Sequence, residues 1–346
     1  MESESDFHIC NYIEKSCPVS YVLKIYNPVL KFNRFYYFIS IQSCIQTKIS
    51  QKFLLIIVQF NNYLHTPKTS YKRFYHILIK RHFFGITSPF RVLPDFFVIG
   101  PGRTGTTSLF HYLGQHPSIS KSAYDELGFF DVNYHLGLNW YRSLFPSILN
   151  KFLVKLKTKM FLTYDVTPSY VRRPWVAKRI KNLFPKSKLI IVLRNPIDKS
   201  YSTYKLYVKQ SGEKRTFQEV IADDMDDISN WKIKSKDDEY FATKIENSIL
   251  ARGFYLEQLL VWYEIFPKDQ ILIISSEELS GNTRATMNQI FKFLNLPEFE
   301  MPNISKVNVS PYSQMNEETR KLLISFFKPY NQELYKFLNF NFEWDK

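Results

Sequence analysis

A short apolar run that leads into a glycine-rich loop constrains this chain more than any other feature. Residues 96–109 read Phe-Phe-Val-Ile-Gly-Pro-Gly-Arg-Thr-Gly-Thr-Thr-Ser-Leu, an apolar β-prone run followed by three glycines and a helical pattern. A strand that feeds a glycine loop at a helix N-terminus brings backbone N–H groups together at the positive end of the helix dipole. The sequence therefore predicts a phosphate-binding loop on an α/β fold.

The position of the cation separates this loop from the common nucleotide-hydrolase pattern. That pattern requires glycine, four residues, and then Gly-Lys followed by serine or threonine. Gly100 and Gly105 have the required spacing, but Thr106 stands where the lysine should be, and the positive charge lies inside the loop. The residues predicted to contact the anion are Arg103, Thr104, Gly105, Thr106, Thr107 and Ser108.

A second strand-to-helix segment carries another pair of candidate anion ligands. Residues 188–204 form an apolar strand run that ends in Arg194, followed by a turn and a helix that contains Ser202. In parallel α/β sheets, ligands bind beyond the carboxyl ends of the strands, which is where Gly100 and Arg194 fall.

Together the two segments resemble the donor site of sulfotransferases that use 3′-phosphoadenylyl sulfate (PAPS). The resemblance is closest to the heparan-sulfate and carbohydrate branch with its microbial relatives, and it runs from about Pro94 to the C-terminus. It implies that the loop around Arg103 binds the 5′-phosphosulfate, that Arg194 and Ser202 bind the 3′-phosphate, and that no metal is required. The family usually has lysine where this chain has Arg103. Arginine keeps the charge but does not readily give a proton to the leaving oxygen.

The resemblance also assigns a general base. The segment Asp125–Asp131 is similar to the family segment in which a glutamate precedes a Phe-Phe pair, and matching puts Glu126 in that role. A carboxylate near the sulfur would take the proton of the acceptor. The neighbouring Asp125 stays open as a competitor. In the family-like segments that follow, His135 and Thr167 are expected to line the acceptor cleft, although a structural role fits His135 equally well.

Two further segments concern the nucleotide side of the site. Arg252–Tyr255 is family-like and would either help to close the donor site or begin the next helix. In the heparan-sulfate branch a late loop with a tyrosine covers the nucleotide. The matching region here lacks the glycine pattern of that loop, and it gives Lys306 and Tyr312 as candidates.

Apolar runs alternate with amphipathic segments from Asp95 onward. Strands are predicted at 95–99, 161–166, 188–193 and 270–275, with helices through about 115 and at 174–184, 251–266 and 282–294. Such alternation is typical of a parallel sheet with helices on both faces, and the resemblance specifies the P-loop-like sulfotransferase fold. The acidic run Asp223–Asp227 is interpreted as a solvated loop. Residues 95–346 are thus predicted to form the sulfotransferase domain, and residues 1–94 a basic, aromatic extension.

The charge of the extension fits an acidic partner, such as anionic lipid, a polyanionic glycan or nucleic acid, and it fits a role in solubility equally well. From Lys15 to Pro94 the chain contains twelve lysines and arginines and no acid, and the net charge of all 346 residues is +14. Residues 70–83 have aromatic and basic side chains at helical spacing. This pattern predicts an amphipathic helix that either lies in a membrane interface or packs on the catalytic domain. We expect a glycan or glycolipid acceptor and no nucleic-acid partner.

The start of the chain is acidic, with Glu2, Glu4 and Asp6, and lacks the basic region of a secretory signal peptide. No apolar run approaches the roughly 18 residues that span a bilayer. The three cysteines are clustered before the glycine loop and do not indicate a disulfide framework. These features predict a cytoplasmic protein and leave peripheral membrane contact through the basic helix open.

Two other classes of function stay open at the level of sequence. A nucleotide hydrolase or kinase would use a similar glycine loop, but Thr106 replaces its lysine and Arg194 stands where a magnesium-binding acid is expected. A non-catalytic protein that binds membranes or polyanions would use the basic extension. The joint presence of Arg103, Glu126, Arg194 and Ser202 favours a sulfotransferase over both.

Overall fold

The computed structural model describes residues 85–230, 238–305 and 314–345. The strands in these ranges are β1 (Phe96–Gly100), β2 (Ile119–Ser120), β3 (Leu162–Val166), β4 (Lys188–Leu193) and β5 (Ile271–Ser275). They form one sheet in the order β2-β3-β1-β4-β5, in which every neighbouring pair is parallel. Since β1 and β4 are neighbours, the loops that leave their carboxyl ends begin side by side.

Helices connect these strands and follow the last one. The described α-helices are α1 (Thr106–Leu113), α2 (Gly137–Arg142), α3 (Ile148–Thr158), α4 (Pro174–Leu183), α5 (Pro196–Ser211), α6 (Phe217–Ser229), α7 (Asp238–Asn247), α8 (Tyr255–Ile265), α9 (Ser276–Gly281), α10 (Thr283–Phe293) and α11 (Glu317–Leu338). Single turns of 3₁₀ helix lie at Ser88–Phe90, Tyr134–Leu136, Tyr170–Arg172, Ala251–Gly253 and Lys268–Gln270.

Alternate residues of the central strand face two different cores. Phe97 and Ile99 of β1 pack in one apolar cluster with side chains of α4 and α8. Phe96 and Val98 pack in a second cluster with side chains of α1 and α10. Because both faces are buried, the strand reads as a continuous apolar run. The predicted parallel sheet with helices on both faces is confirmed.

The acidic run Asp223–Asp227 lies in α6, and the interpretation of this run as a solvated loop was wrong. The helix begins with a capping box, in which Thr216 Oγ1 accepts from the N–H of Glu219 and the Glu219 carboxylate accepts from the N–H of Thr216. The protein-facing side of α6 is apolar and includes Phe217, Ile221 and Ile228. A threonine followed three residues later by glutamate is a sequence signature of such a start.

Residues 85–94 of the extension run beside the chain that precedes α3. The N–H of Val92 donates to the carbonyl oxygen of Pro146 at 3.0 Å, and Arg91 forms an antiparallel bridge with Ser147. Residues 1–84, including the helix predicted at 70–83, lie outside the described residues. Within the described ranges, we find no helix with the length and apolar character to span a membrane.

Candidate functional site

The loop from Gly100 to Gly105 turns β1 directly into α1. Gly100 has φ +121°, and a Cβ added there would lie 2.1 Å from the carbonyl oxygen of Pro168, so only glycine fits between the two segments. Gly105, with φ +94°, caps α1, and the N–H of Leu109 donates to its carbonyl. The first N–H groups of such a helix have no carbonyl partner within the helix and favour an anion.

The other residues predicted in this loop are mostly buried. Thr104, Thr106 and Ser108 are buried, and Thr107 is partly exposed. The Thr104 hydroxyl donates to the carbonyl oxygen of Pro101 at 2.7 Å, so this side chain helps to shape the loop itself. Between Gly100 and Gly105, Arg103 is the residue with a long polar side chain.

Arg103 has an unusual backbone conformation, with φ +68°. L-residues avoid this left-handed region because Cβ then approaches the following carbonyl oxygen. The described ranges contain six non-glycine residues with positive φ. Of these, Lys159 and Asn339 directly follow helices and Asn295 lies two residues after one, and this conformation is common at helix ends. Arg103 and Glu126 do not follow helices. Strain of this kind clusters at functional sites, where surrounding contacts hold it in place.

Two hydrogen bonds hold Arg103 and join two strand ends. Its Nε donates to Ser202 Oγ at 3.0 Å, and its carbonyl oxygen accepts from Nη1 of Arg194 at 2.9 Å. Arg194 directly follows β4, and Ser202 is buried in α5. The structure therefore brings together three residues that the sequence analysis took from two separate segments, while their roles in ligand binding stay a prediction.

Further contacts fix the other side of Arg194. The hydroxyl of Tyr255 donates to its carbonyl oxygen at 2.7 Å, and the next N–H, of Asn195, donates to Oε1 of Glu277 at 2.9 Å. The Glu277 carboxylate also accepts from Ser275 Oγ at the end of β5. Tyr255 belongs to the segment expected to close the donor site or begin a helix. Sequence reasoning missed Glu277, although an acid shortly after a strand-end serine is a typical helix start.

A buried lysine lies behind this site, close to several arginines. Lys199 in α5 is 2% exposed, and its Nζ donates to the carbonyl oxygen of Arg252 at 2.9 Å. Burial lowers the pKa of Lys199 well below its usual value, and the charges of Arg252, Arg172 and Arg194 lower this pKa further. Sequence reasoning missed Lys199, although it stands one turn before Ser202. The concentration of cations in this region favours a ligand with several negative charges.

Glu126 lies on a loop that is anchored to the end of β3. Its N–H donates to the carbonyl oxygen of Val166 at 2.7 Å, its φ is +57°, and its side chain is exposed. Farther along the same loop, Asp131 forms an ion pair with Arg173 at 2.7 Å. Since β3 is the other neighbour of β1, the anchor at Val166 places Glu126 at the strand end next to the one that carries the glycine loop. The neighbouring Asp125 is partly exposed.

A buried carboxylate organises this side of the site. Asp165 accepts hydrogen bonds from three hydroxyl groups, those of Tyr141 at 2.7 Å, Thr167 at 2.7 Å and Tyr170 at 3.0 Å. Burial raises the pKa of Asp165 to about 6, although the three hydrogen bonds oppose this shift. Thr167 Oγ1 also accepts from the N–H of Gly128 at 3.3 Å. Thr167 is 2% exposed, so its hydroxyl belongs to this buried network.

Of the three remaining predicted residues, one is exposed and two lie outside the described residues. His135 is exposed in the 3₁₀ turn Tyr134–Leu136, and its contact with an acceptor stays a prediction. Lys306 and Tyr312 lie outside the described residues. Across the described ranges, no group of three or more histidine, cysteine, aspartate or glutamate side chains is arranged to hold a metal ion.

The glycine loop, the facing strand end and their cations define an α/β protein of the phosphate-loop class. The chain belongs to the sulfotransferase domain family, whose sequence model matches residues 93–323. The family expected from the sequence is therefore confirmed.

Curated relatives agree with this assignment. The chain is 29% identical over 280 residues to a bovine protein named bifunctional heparan sulfate N-deacetylase/N-sulfotransferase 2, a match that covers 71% of this chain and 30% of the relative. It is 26% identical over 322 residues to the membrane-associated sulfotransferase kil1 of Dictyostelium discoideum, which covers 73% of this chain and 66% of that protein. The chain thus spans less than a third of the bovine relative.

A solved structure supports the fold. A sulfotransferase from Alicyclobacillus acidocaldarius superposes with a TM-score of 0.56 at 23% identity, covering 74% of this chain and 100% of the other. At this level of identity the likeness concerns the fold alone.

Proposed function

We propose that this chain transfers a sulfuryl group from PAPS to a hydroxyl or amine group of a carbohydrate. The observation that carries the proposal is the pair of hydrogen bonds that link Arg194, Arg103 and Ser202 across the carboxyl ends of β1 and β4. PAPS has anionic groups at both ends of its ribose. Two neighbouring strand ends, each with an arginine, suit such a ligand.

The loop side of the site suits the charge that develops during transfer. When the bond between sulfur and the bridging oxygen breaks, negative charge grows on that oxygen and on the 5′-phosphate. Arg103 and the first N–H groups of α1 would stabilise this charge more strongly in the transition state than in the ground state. Sulfuryl transfer resembles phosphoryl transfer in depending mainly on alignment and charge stabilisation.

Glu126 is the proposed general base. In the proposed step the acceptor oxygen or nitrogen forms a bond to sulfur, its proton passes to the Glu126 carboxylate, and the bridging oxygen leaves with the nucleotide. The hydrogen bond from the Glu126 N–H to the carbonyl oxygen of Val166 supports this role. It holds Glu126 at the end of β3, the strand beside β1. Asp125 remains the alternative base.

The acceptor class is inferred from the relatives. Names that refer to heparan sulfate occur among the proteins to which the chain is similar, so a glycan with free hydroxyl or amine groups is the proposed acceptor. His135 is a proposed acceptor contact because it is exposed on the segment that follows the Glu126 loop. Thr167 would act on the acceptor side through Asp165 and Gly128, which it joins.

Lys306 and Tyr312 are the proposed contacts on the adenosine side. The described chain stops at Ser305, where the Tyr112 hydroxyl on α1 donates to the carbonyl oxygen of Ile304 at 3.0 Å. It resumes at Gln314, whose carbonyl oxygen lies 3.5 Å from the Tyr201 hydroxyl on α5. The described residues on both sides of this segment thus contact the helices that follow the glycine loop and Arg194, which supports the proposal.

Ligand-dependent stability tests the donor site. We expect adenosine 3′,5′-bisphosphate, the product that remains after transfer, to raise the midpoint of thermal unfolding without Mg²⁺. At a hundredfold excess over Kd the stabilisation is about 2.7 kcal/mol, which corresponds to roughly 5 °C or more. ATP with Mg²⁺ should give a smaller shift. A larger response to ATP with Mg²⁺ would instead support a nucleotide hydrolase or kinase, and no response to either would support a non-catalytic protein.

Transfer of radiolabelled sulfate tests the catalytic assignment. Heparan sulfate, desulfated heparin and simple alcohols serve as acceptors, and the wild-type chain should label a glycan. Glu126→Gln should lower kcat at least about 100-fold, since a missing general base costs this much. Asp125→Asn is the matched control and should retain activity. If Asp125→Asn lost activity and Glu126→Gln retained it, the base would be Asp125. Adenosine 3′,5′-bisphosphate should stabilise both variants as it does the wild type, which would show that the substitutions leave nucleotide binding intact.

A further inference from the structure

Helix α3 has its apolar side turned away from the protein. Five of its six large apolar residues share one face at helical spacing, and each is about half exposed or more: Ile148, Leu149, Phe152, Leu153 and Leu156. The exposed fraction reaches 65% for Leu149 and 66% for Leu156. Of the residues in this helix, all of which the structure describes, none is buried. A surface helix of a globular protein normally places such a face against the core.

The opposite side of α3 contacts the protein only partly. Lys151, Val154 and Thr158 are half-buried there, and Nζ of Lys151 lies 5.9 Å from the centre of the Phe161 ring. Asn150 Oδ1 accepts a hydrogen bond from Ser120 Oγ of β2 at 3.0 Å. These contacts fix which face of α3 is turned outward.

Lysines border the exposed apolar face. On a helical wheel Lys155 and Lys157 fall on the two sides of that face, and both are exposed. Lys159 directly follows the helix and is exposed as well. From Val132 to Tyr164 the sequence contains no aspartate or glutamate. Asp95 lies close enough to this helix that the charges of Lys151 and Lys155 lower its pKa, although burial raises that pKa overall.

Two more exposed apolar side chains lie on a neighbouring segment. The segment that is hydrogen-bonded to the chain just before α3 carries Ile86 and Phe90, which are 78% and 70% exposed. Exposed apolar side chains that are clustered on one helix face mark an interaction surface. We define the outer apolar surface as Ile148, Leu149, Phe152, Leu153 and Leu156.

We infer that the outer apolar surface docks on a bilayer containing anionic lipids. An amphipathic helix of this kind buries leucine and phenylalanine at the level of the acyl chains while the bordering lysines reach the headgroup phosphates. The charge of the surface selects this occupant. A second copy would bring lysines against lysines, and residues 15–84, with eleven basic residues and no acid, would do the same. A polyanionic glycan would pair with the lysines but leave the apolar side chains in water.

Vesicle flotation with the full chain tests the inference. The chain should bind phosphatidylcholine vesicles that contain about 30% phosphatidylserine and bind vesicles of phosphatidylcholine alone much more weakly. Combining Leu149→Ser, Phe152→Ser and Leu156→Ser should lower the partition coefficient at least about tenfold, because each side chain loses apolar burial. Leu260→Ser with Leu322→Ser, at exposed apolar positions of α8 and α11, is the matched control and should bind like the wild type.

The charge component has its own variants. Lys155→Glu with Lys157→Glu and Lys159→Glu should lower the preference for anionic vesicles and weaken its dependence on salt. Lys321→Glu with Lys328→Glu, at exposed positions of α11, should leave both unchanged. An equal loss in both sets would mean that overall charge drives binding, and it would overturn the inference.

A local probe separates α3 from the basic extension, which can also bind lipid. Cys10, Cys17 and Cys44 are replaced by serine, and Leu156→Cys is labelled with an environment-sensitive fluorophore. Anionic vesicles should shift its emission to shorter wavelength, and the same label on Leu322→Cys should not respond. Flotation without a shift at position 156 would overturn the inference. So would a short-wavelength emission before vesicles are added, because another part of the chain or a second copy would then cover the surface.

Discussion

The guanidinium group of Arg194 donates a hydrogen bond to the backbone carbonyl of Arg103 over 2.9 Å. The residue that ends one strand therefore supports the loop that follows the neighbouring strand. Arg103 in turn donates to Ser202, which lies in α5, the helix that follows Arg194. The strained φ of Arg103 thus depends on contacts from both directions. A substitution at Arg194 should therefore alter the contact between Arg103 and Ser202, and a substitution at Ser202 should alter the contact between Arg103 and Arg194.

Arg194→Ala should remove the preference of the protein for a 3′-phosphate. We expect the variant to bind adenosine 3′,5′-bisphosphate roughly 10- to 100-fold more weakly, since charge-assisted hydrogen bonds contribute about 1.5–3 kcal/mol. Binding of adenosine 5′-monophosphate should weaken much less. Titration calorimetry with both nucleotides gives the ratio directly. Arg284→Ala, at an exposed arginine paired with Glu300, is the control and should leave the ratio unchanged.

Arg103 and Ser202 should act as a coupled pair. Ser202→Ala removes the acceptor of the Arg103 Nε–H, and Arg103→Ala removes the donor. In a double-mutant cycle measured on nucleotide binding, we expect a coupling energy of about 0.5–1.5 kcal/mol. Additive effects would show that the contact does not contribute to the bound state.

Asp165 should make stability depend on pH in a defined direction. Its pKa is raised from 3.8 to about 6 in the folded protein. The folded state therefore holds the proton more tightly than the unfolded chain, and stability is greatest below the unfolded pKa and falls as pH rises through about 6. A shift of this size corresponds to a loss on the order of 3 kcal/mol.

The comparison with Asp165→Asn isolates this effect. The amide cannot ionise, so the free energy of unfolding of the wild type minus that of the variant should decrease between pH 4 and pH 7. Urea unfolding at several pH values measures the difference. A constant difference would mean that the carboxyl titrates alike in both states.

Gly100→Ala should destabilise the protein strongly. The new Cβ would lie 2.1 Å from the carbonyl oxygen of Pro168, and the positive φ is unfavourable for alanine. We expect a loss of about 3 kcal/mol or more in the free energy of unfolding. Gly102→Ala is the matched control, because its Cβ would meet only the Pro168 side chain at 3.8 Å, an ordinary contact. Similar losses in both variants would contradict the close approach at Gly100.

The sheet and the closeness of Arg103 and Arg194 were the predictable parts of this molecule. Buried parallel strands read as unbroken apolar runs, and the run at 188–193 matches β4 residue for residue. Arg103 and Arg194 follow such runs, so their neighbourhood follows from the rule that parallel strands end at one edge. The contacts that support them were not predictable, because Tyr255 and Glu277 reach Arg194 and Asn195 from distant segments.

Helix α6 shows why an acidic composition does not by itself indicate a loop. Five residues with four acids suggested a solvated loop, but local hydrogen bonds at Thr216 start a helix before that run is reached. One of the acids, Asp224, is used inside the protein, where it accepts hydrogen bonds from Ser248 and the N–H of Leu250. The exposed apolar face of α3 was also missed, because an amphipathic pattern does not tell which face the protein covers.

The Asp165 network distinguishes a fixed part of this region from a part that is free to change. Tyr141, Thr167 and Tyr170 fasten the scaffold through one buried acid. Between Asp131 and Tyr141 most side chains are at the surface and lie outside that scaffold. Mutations there can accumulate without loosening the anchor, so the surface around the proposed acceptor contact His135 can change while the buried network beneath it stays intact.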